Sequence, residues 1–384
     1  MKKVFYKNVS KAIYSVIKKK SALHEPFFCG NEEKYLKICI KKNIVGSPGF
    51  FFETFQKKIK NFTKSKYVIL TNSGTSALHL SLIAAGVKNN DEVLMPALNY
   101  IASANATLYC GAIPHFVDIS RLTMGIDPVN LEAYIKKISI IKKNLCYNKK
   151  TKKIIRALIC LHTFGHPAEI DKIKTICKKF KIQLIEDAAE ALGSFYKSRH
   201  LGTFGSLGAL SFNGNKIITS GCGGAILTDN KKIAKFLVSI SQTSKIKHQF
   251  KYDYNGIGYN YRLSNLNCAI GLAQLENIKF YIKKKRNLFF KYKKAFAKIK
   301  ELKIFNEIKY AKSNYWLNCI ILNNSSLRIR DNLIMYLNKK GIGARPVWQL
   351  LHKVHHLKNY QKSNLKNSEN MSKRIVNIPS SSFI

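Results

Sequence analysis

Ser211-Phe212-Asn213-Gly214-Asn215-Lys216-Ile217-Ile218-Thr219-Ser220-Gly221-Cys222-Gly223-Gly224 is the stretch on which the reading of this sequence turns. It follows the apolar run 207–210 and sets one lysine five residues after a serine and ahead of a glycine-rich turn. A lysine with these neighbours can form a Schiff base with an aldehyde cofactor while hydroxyls and backbone amides hold that cofactor's phosphate. Taken alone, the segment reads equally well as a loop lysine in a lysine-rich chain.

Outward from it, short apolar runs alternate with helical periods. Strands are expected at 67–70, 92–95, 113–117, 154–161, 183–187, 207–212 and 224–228, with helices at 76–85, 101–109 and 170–180. Such alternation predicts an α/β fold, a mostly parallel central sheet covered by helices on both faces. Between 230 and 260 the pattern loosens into a polar, aromatic connector, and helical periods dominate from 263 to about 300. Runs at 315–321 and 343–347 read as strands of a smaller α+β C-terminal domain. The expected organisation is a basic amphipathic lead-in with a first helix over 1–30, a large α/β domain over 31–260 and the smaller domain over 261–384.

A length of 384 residues suits two domains. The net charge of +45 invites a nucleic-acid reading. Against it, the basic residues are spread over the whole length, and only nine of the 66 are arginine, the residue suited to bidentate recognition. Lysine rises together with Ile, Asn, Tyr and Phe, a compositional bias laid on solvated faces. A positive field would still draw in an anionic substrate. Nine cysteines occur singly with no C-x-x-C pair, which indicates neither zinc nor disulfides and fits a reducing cytoplasm. Lysines at 11 and 18–20 interrupt the apolar N-terminus, and no stretch reaches the roughly 18 apolar residues of a membrane span.

Other segments bear on the lysine. Thr71-Asn72-Ser73-Gly74-Thr75-Ser76-Ala77-Leu78 follows a strand and opens a helix, either as a phosphate cup or as an ordinary capped start. Glu186-Asp187-Ala188-Ala189-Glu190 sits at the C-terminal end of an apolar strand, where open α/β sheets bind ligands. Asp187 there suits a protonated ring nitrogen, or the capping of a following helix. Gly256-Ile257-Gly258-Tyr259-Asn260-Tyr261-Arg262-Leu263-Ser264 is a polar aromatic turn, with Ser264 placed to cap the next helix. In His162-Thr163-Phe164-Gly165-His166-Pro167 the glycine and proline break the helix that would align two histidines on a metal, so no metal site is expected.

In their order along the chain these segments resemble the DegT/DnrJ/StrS sugar aminotransferases, fold-type I enzymes that use pyridoxal 5′-phosphate. The resemblance runs from about Leu23 to Pro379. It is most specific at Leu23-His24-Glu25-Pro26, the His162 turn, the Ser211 to Lys216 segment, Ser313-Asn314-Tyr315-Trp316-Leu317-Asn318 and Asn377-Ile378-Pro379-Ser380-Ser381. It implies Lys216 as the Schiff-base lysine, Asp187 as partner of the pyridine nitrogen, and Ser211, Gly74 and Thr75 as phosphate ligands. Tyr100 takes the place of the aromatic residue stacked on the ring, and Asn260 that of a residue reaching across a homodimer interface to the partner's phosphate. Glu190 stands where relatives often have His or Gln, in contact with substrate. Val45-Gly46-Ser47-Pro48-Gly49-Phe50 departs from the family's serine-rich loop. The branch most resembled aminates C4 of UDP-linked 4-keto-6-deoxy-N-acetylhexosamines with L-glutamate as donor. Sibling enzymes on other keto-sugar nucleotides stay open as alternatives, as does a nucleic-acid-binding protein on an inactive scaffold. Same-fold dehydratases carry histidine where this chain has Lys216.

Overall fold

Seven apolar runs associate into the central sheet of the computed structural model, which describes residues 2–384 apart from Pro48 and Lys247. They are β1 (Tyr67–Thr71), β2 (Glu92–Pro96), β3 (Ile113–Val117), β4 (Ile155–Leu161), β5 (Gln183–Asp187), β6 (Leu207–Ser211) and β7 (Gly224–Thr228). Their order is β1-β7-β6-β5-β4-β2-β3; β7 runs antiparallel to both its neighbours and the remaining pairs are parallel. Near-continuous apolar strands require cover on both faces, because successive side chains point to opposite sides.

The helices supply that cover. In chain order they are α1 (Lys2–Ile17), α2 (Glu32–Lys41), α3 (Phe50–Thr63), α4 (Gly74–Ala84), α5 (Ala102–Tyr109) and α6 (Pro128–Ile138). Then come α7 (Ile170–Lys179), α8 (Lys231–Ile240), α9 (Asn265–Glu276), α10 (Ile278–Phe296), α11 (Leu327–Lys339) and α12 (Lys366–Ser372). Leu70, Leu158 and Leu184 face one core with residues of α2, α3, α6, α7 and α9. Ile69, Ile159 and Ile185, one position along each strand, face the other core with α4, α5 and α8. None of the described helices is long and apolar enough to cross a membrane.

A second, antiparallel sheet is formed by β8 (Leu302–Ile304), β9 (Asn318–Leu322), β10 (Arg345–Pro346) and β11 (Ile375–Ile378), in the order β8-β9-β11-β10. Its core draws on α10 and α11 and also on α1, whose Val9 and Ile13 are fully buried among Leu288, Tyr292, Ile320 and Leu337. The basic N-terminal segment is thus part of a C-terminal core.

Three expectations change. The connector expected from 230 begins with a helix: the Asn230 side chain accepts the N–H groups of Lys232 and Ile233 at 2.9 and 3.1 Å, and Ala234, Leu237 and Ile240 form its buried stripe. Three lysines on the outer face of α8 had hidden that period. The strand expected at 315–321 starts at Asn318, because Tyr315 has left-handed backbone (φ 49°). The strand expected at 343–347 shrinks to Arg345–Pro346 at the sheet edge, where a proline is tolerated. In the departing loop, Pro48 lies outside the described residues, while the Ser47 hydroxyl donates to the Leu263 carbonyl and Gly49 leads into α3.

The end of β5 is fixed by one buried carboxylate. Glu186 Oε1 accepts the N–H groups of Phe204 and Gly205 at 2.6 and 2.7 Å; Oε2 accepts that of Gly202 at 2.8 Å and lies 3.0 Å from His162 Nε2. Burial pushes its pKa up, but the His162 and amide hydrogen bonds prevail and hold it below the ordinary value.

Because α1 shares the second core, Ile13→Ala should lower unfolding free energy by about 2–5 kcal/mol. Urea unfolding followed by circular dichroism checks this; an unchanged midpoint would show that α1 is dispensable.

Candidate active site

The parallel strands end at one edge of the sheet, and there the chain encloses a cavity of about 300 Å³. The start of α4 forms one wall. Ser73 is extended and its hydroxyl accepts the Ser76 N–H at 3.0 Å; Ser76 Oγ donates to Asn72 Oδ1 at 2.6 Å. These two serines therefore serve the cap, while Gly74 and Thr75 line the cavity with first-turn amides that have no partner within a helix. A β-carbon on Gly74 would sit 2.9 Å from Ser211 Cβ and 3.2 Å from its oxygen, so only glycine allows this contact between α4 and β6.

Asp187, the last residue of β5, lines the floor. No helix follows it for capping; residues 188–194 form turns. Its Oδ1 accepts the Ala189 N–H at 3.2 Å and its Oδ2 accepts the Ser103 hydroxyl at 2.9 Å. Burial raises its pKa, opposed by these bonds and by the Lys216 charge.

Lys216 lies in the turn between β6 and β7. Its Nζ is 4.1 Å from the centre of the Trp316 ring and 3.5 Å from Glu190 Oε1. The Trp316 indole N–H donates to the Asn215 carbonyl at 2.6 Å, which pins the backbone beside the lysine. Glu190 Oε2 in turn accepts the Phe164 N–H at 2.8 Å. Burial pushes the Glu190 carboxyl up to about 7 despite the opposing pull of Lys216.

The His162 turn braces this wall. Phe164 is buried with left-handed backbone (φ 57°), a conformation that costs a non-glycine residue about 1–3 kcal/mol and needs support from its surroundings. Gly165 follows at φ 87°, and a β-carbon there would lie 2.0 Å from Asn314 Oδ1. Asn314 Nδ2 donates to the carbonyls of Glu190 and Leu192 at 2.8 and 3.0 Å. The two histidines serve the fold separately. His162 bonds to Glu186 and accepts the Ala168 N–H at 3.3 Å. His166 packs against the rings of Phe305 and Tyr315, and burial lowers its pKa to about 3.

Gly74, Thr75, Tyr100, Asp187, Glu190, Ser211 and Lys216 thus line a single cavity. Tyr100 is half-exposed at its mouth, 6.2 Å from Trp348. Asn260 is elsewhere, in a groove with Ser47, Lys235, Gln242, Lys245, His248 and Arg262. Sequence reasoning assigned no part to Trp316, Trp348 or Ser103. The chain has only two tryptophans and both line the cavity, a compositional signal that was available. Ser103 carried no such mark.

A sequence model of the DegT/DnrJ/EryC1/StrS aminotransferase family matches residues 29–383. The chain is 34% identical over 359 residues to GDP-perosamine synthase of Escherichia coli O157:H7, covering 93% of this chain and 92% of that protein. It is 32% identical to a UDP-4-amino-4,6-dideoxy-N-acetyl-beta-L-altrosamine transaminase of Campylobacter jejuni, over 85% of this chain and 84% of that one. A crystal structure of a DegT/DnrJ/EryC1/StrS aminotransferase from Brucella abortus superposes with a TM-score of 0.83 at 25% identity, covering 92% of this chain and 91% of that one. Aminotransferases of this family depend on pyridoxal 5′-phosphate, and the cavity fits that group. A helix start kept open by Gly74 suits its phosphate, a buried carboxylate its ring nitrogen, and a lysine amine its aldehyde. The match spans nearly the whole chain and the cavity has the chemistry the family needs, so the chain belongs to the DegT/DnrJ/EryC1/StrS family of pyridoxal-phosphate-dependent sugar aminotransferases.

Proposed function

We propose that this enzyme moves an amino group from L-glutamate to C4 of a nucleotide-linked 4-keto-6-deoxy sugar of the UDP-N-acetylhexosamine type, in the cytoplasmic synthesis of surface-glycan sugars. The observation that carries the reading is the convergence of Lys216, Asp187 and the α4 start on one cavity. C4 amination has support in the name of the Campylobacter relative, a 4-amino-4,6-dideoxy sugar transaminase. A second reading, a GDP-linked sugar, is favoured by the 34% identity to GDP-perosamine synthase. Incubation with UDP- and GDP-linked 4-keto-6-deoxy sugars plus glutamate, with mass analysis of the products, separates the two; amination of neither would sink the proposal.

When bound, pyridoxal 5′-phosphate supplies an aldehyde that condenses with amines and a ring that accepts electrons from the adjacent carbon. Lys216 Nζ would hold that aldehyde between turnovers. As a free amine it would take the proton from the donor's α-carbon and, in the second half-reaction, deliver one to C4 of the sugar. Trp316 keeps that amine over its ring face. Asp187 presents a carboxylate to the ring nitrogen and favours its protonated form. Ser211, Gly74 and Thr75 would bind the phosphate, and Tyr100 would stack on the ring. Glu190 contacts the substrate beside Lys216. In a homodimer Asn260 reaches the partner's phosphate, and its basic groove with Lys235, Lys245 and Arg262 suits an anion.

Lys216→Ala should abolish turnover and the borohydride-dependent covalent trapping of cofactor; normal turnover would refute the assignment. Mixing inactive Lys216→Ala and Asn260→Ala subunits should restore about a quarter of the sites if each is shared across a two-fold interface. No recovery after demonstrated subunit exchange would rule out a site that takes Lys216 from one subunit and Asn260 from the other. Glu190 gives a pH test on the apoprotein. Its carboxyl titrates near 7 when folded against an ordinary 4.5, so its contribution favouring the fold is full below 4.5 and is lost as pH rises through about 7. The melting temperature of the wild type minus that of Glu190→Gln should therefore fall across that window and level off above it; a flat difference would contradict the burial argument.

A further inference from the structure

Behind the cavity floor, two polar side chains that the proposed mechanism does not use lead in line to Asp187. Asn99 Nδ2 donates to Ser103 Oγ at 3.0 Å, and Ser103 Oγ donates to Asp187 Oδ2 at 2.9 Å. Asn99 and Ser103 are fully buried and Asp187 nearly so. Asn99 lies just before α5 and Ser103 in its first turn, so the line carries the rigidity of a helix start to the end of β5.

We infer that Ser103, aligned by Asn99, is a positioning residue that holds the Asp187 carboxylate as a fixed acceptor for the cofactor's ring nitrogen. A serine hydroxyl has one hydrogen to give. With the Asn99 amide N–H filling one lone pair of Ser103, that hydrogen is directed to Asp187. Exchanging the amide oxygen and nitrogen of Asn99 would confront the hydroxyl with two acceptors and a single hydrogen, so the network fixes the amide as it stands. With Oδ2 filled by Ser103 and Oδ1 by the Ala189 N–H, the carboxylate has its rotation blocked. A donor to the charged form also opposes the effect of burial, which favours the neutral acid. Other groups bear on Asp187: Lys216 from the β6–β7 turn, His162 and Cys160 at the end of β4, and Glu190 in its own turn. Among the groups that favour the carboxylate, Ser103 is the neutral one that touches it from a helix.

The inference rests on the role proposed for Asp187, and the test separates the two. Cofactor affinity is measured by equilibrium dialysis, and the acid midpoint for loss of bound cofactor by its absorbance, for Asp187→Ala, Ser103→Ala, Ser103→Thr and Asn99→Ala. Ser103→Ala should weaken affinity about tenfold, in keeping with a hydrogen bond to a charged group, and should move the acid midpoint to higher pH. Ser103→Thr, which keeps the hydroxyl, should restore most of both; Asn99→Ala should shift both in the same direction by less. If Asp187→Ala binds cofactor normally, the reading of Asp187 fails. If Asp187→Ala loses cofactor while Ser103→Ala keeps wild-type affinity and midpoint, the positioning role alone is overturned. Should Ser103→Ala lose its cooperative melt, Ser103→Cys replaces it. That weaker donor should give a partial loss, and wild-type behaviour would count against the inference.

Discussion

At the end of β5 two consecutive carboxylates turn to opposite faces of the sheet, a direct result of the two-residue period of a strand. Glu186 is drawn into backbone amides from the 202–205 loop and the His162 ring, a set of bonds that closes one face. Asp187 emerges toward α5 and the cavity, held by Ser103 and Ala189. The first carboxylate fixes the strand end and with it the place of the second, where burial raises the pKa against the pull of Ser103, Ala189 and Lys216. A slip of one residue in β5 would exchange their faces and leave both without partners. The positions of the α4 start, the Lys216 turn and the His162 turn are all set relative to this strand.

The central sheet was readable because its runs are apolar and punctuated by glycine and acidic residues, as at Glu92, Asp187 and Gly224. That Lys216, Asp187 and the Gly74-Thr75 start would meet at one cavity was readable because each lies at a strand end or helix start on the same edge of the sheet. What escaped is of two kinds. Lysines masked the period of α8, whose cap at Asn230 is nevertheless plain once the buried stripe is seen. Long-range packing hid the rest: nothing near Trp316 in sequence tells that its ring will lie over an amine one hundred residues earlier. Ser103 is a small residue in an alanine-rich helix, and its value comes only from the carboxylate across the sheet.

The site also joins the two sheets. Trp316 reaches the cavity just before β9, and its carbonyl accepts a hydrogen bond from Lys285 of α10 at 3.0 Å. Lys285 is fully buried, and its other acceptor is the Ser380 carbonyl. Burial lowers its pKa well below the usual lysine value, a cost accepted where one side chain ties α10, the Trp316 segment and the C-terminal residues together. Motion of the second sheet against the first would therefore be felt at Lys216 through the indole.

The antiparallel strand β7 has a further effect on how the molecule comes into being. β1 has its partner in β7, with Tyr67 opposite Thr228, so some 160 residues separate the two sides of that pairing. On the ribosome, β1 and α4 emerge long before β7 exists to insert between β1 and β6. Until then β1 carries an unpaired edge and the Gly74 turn is not seated against Ser211, a period in which nascent chains are open to misassociation. Such non-local pairing slows folding, because loop closure precedes any reward in contacts. The cofactor pocket is accordingly among the last features of the large sheet to form, and ligand binding can only reward a chain synthesised past residue 228.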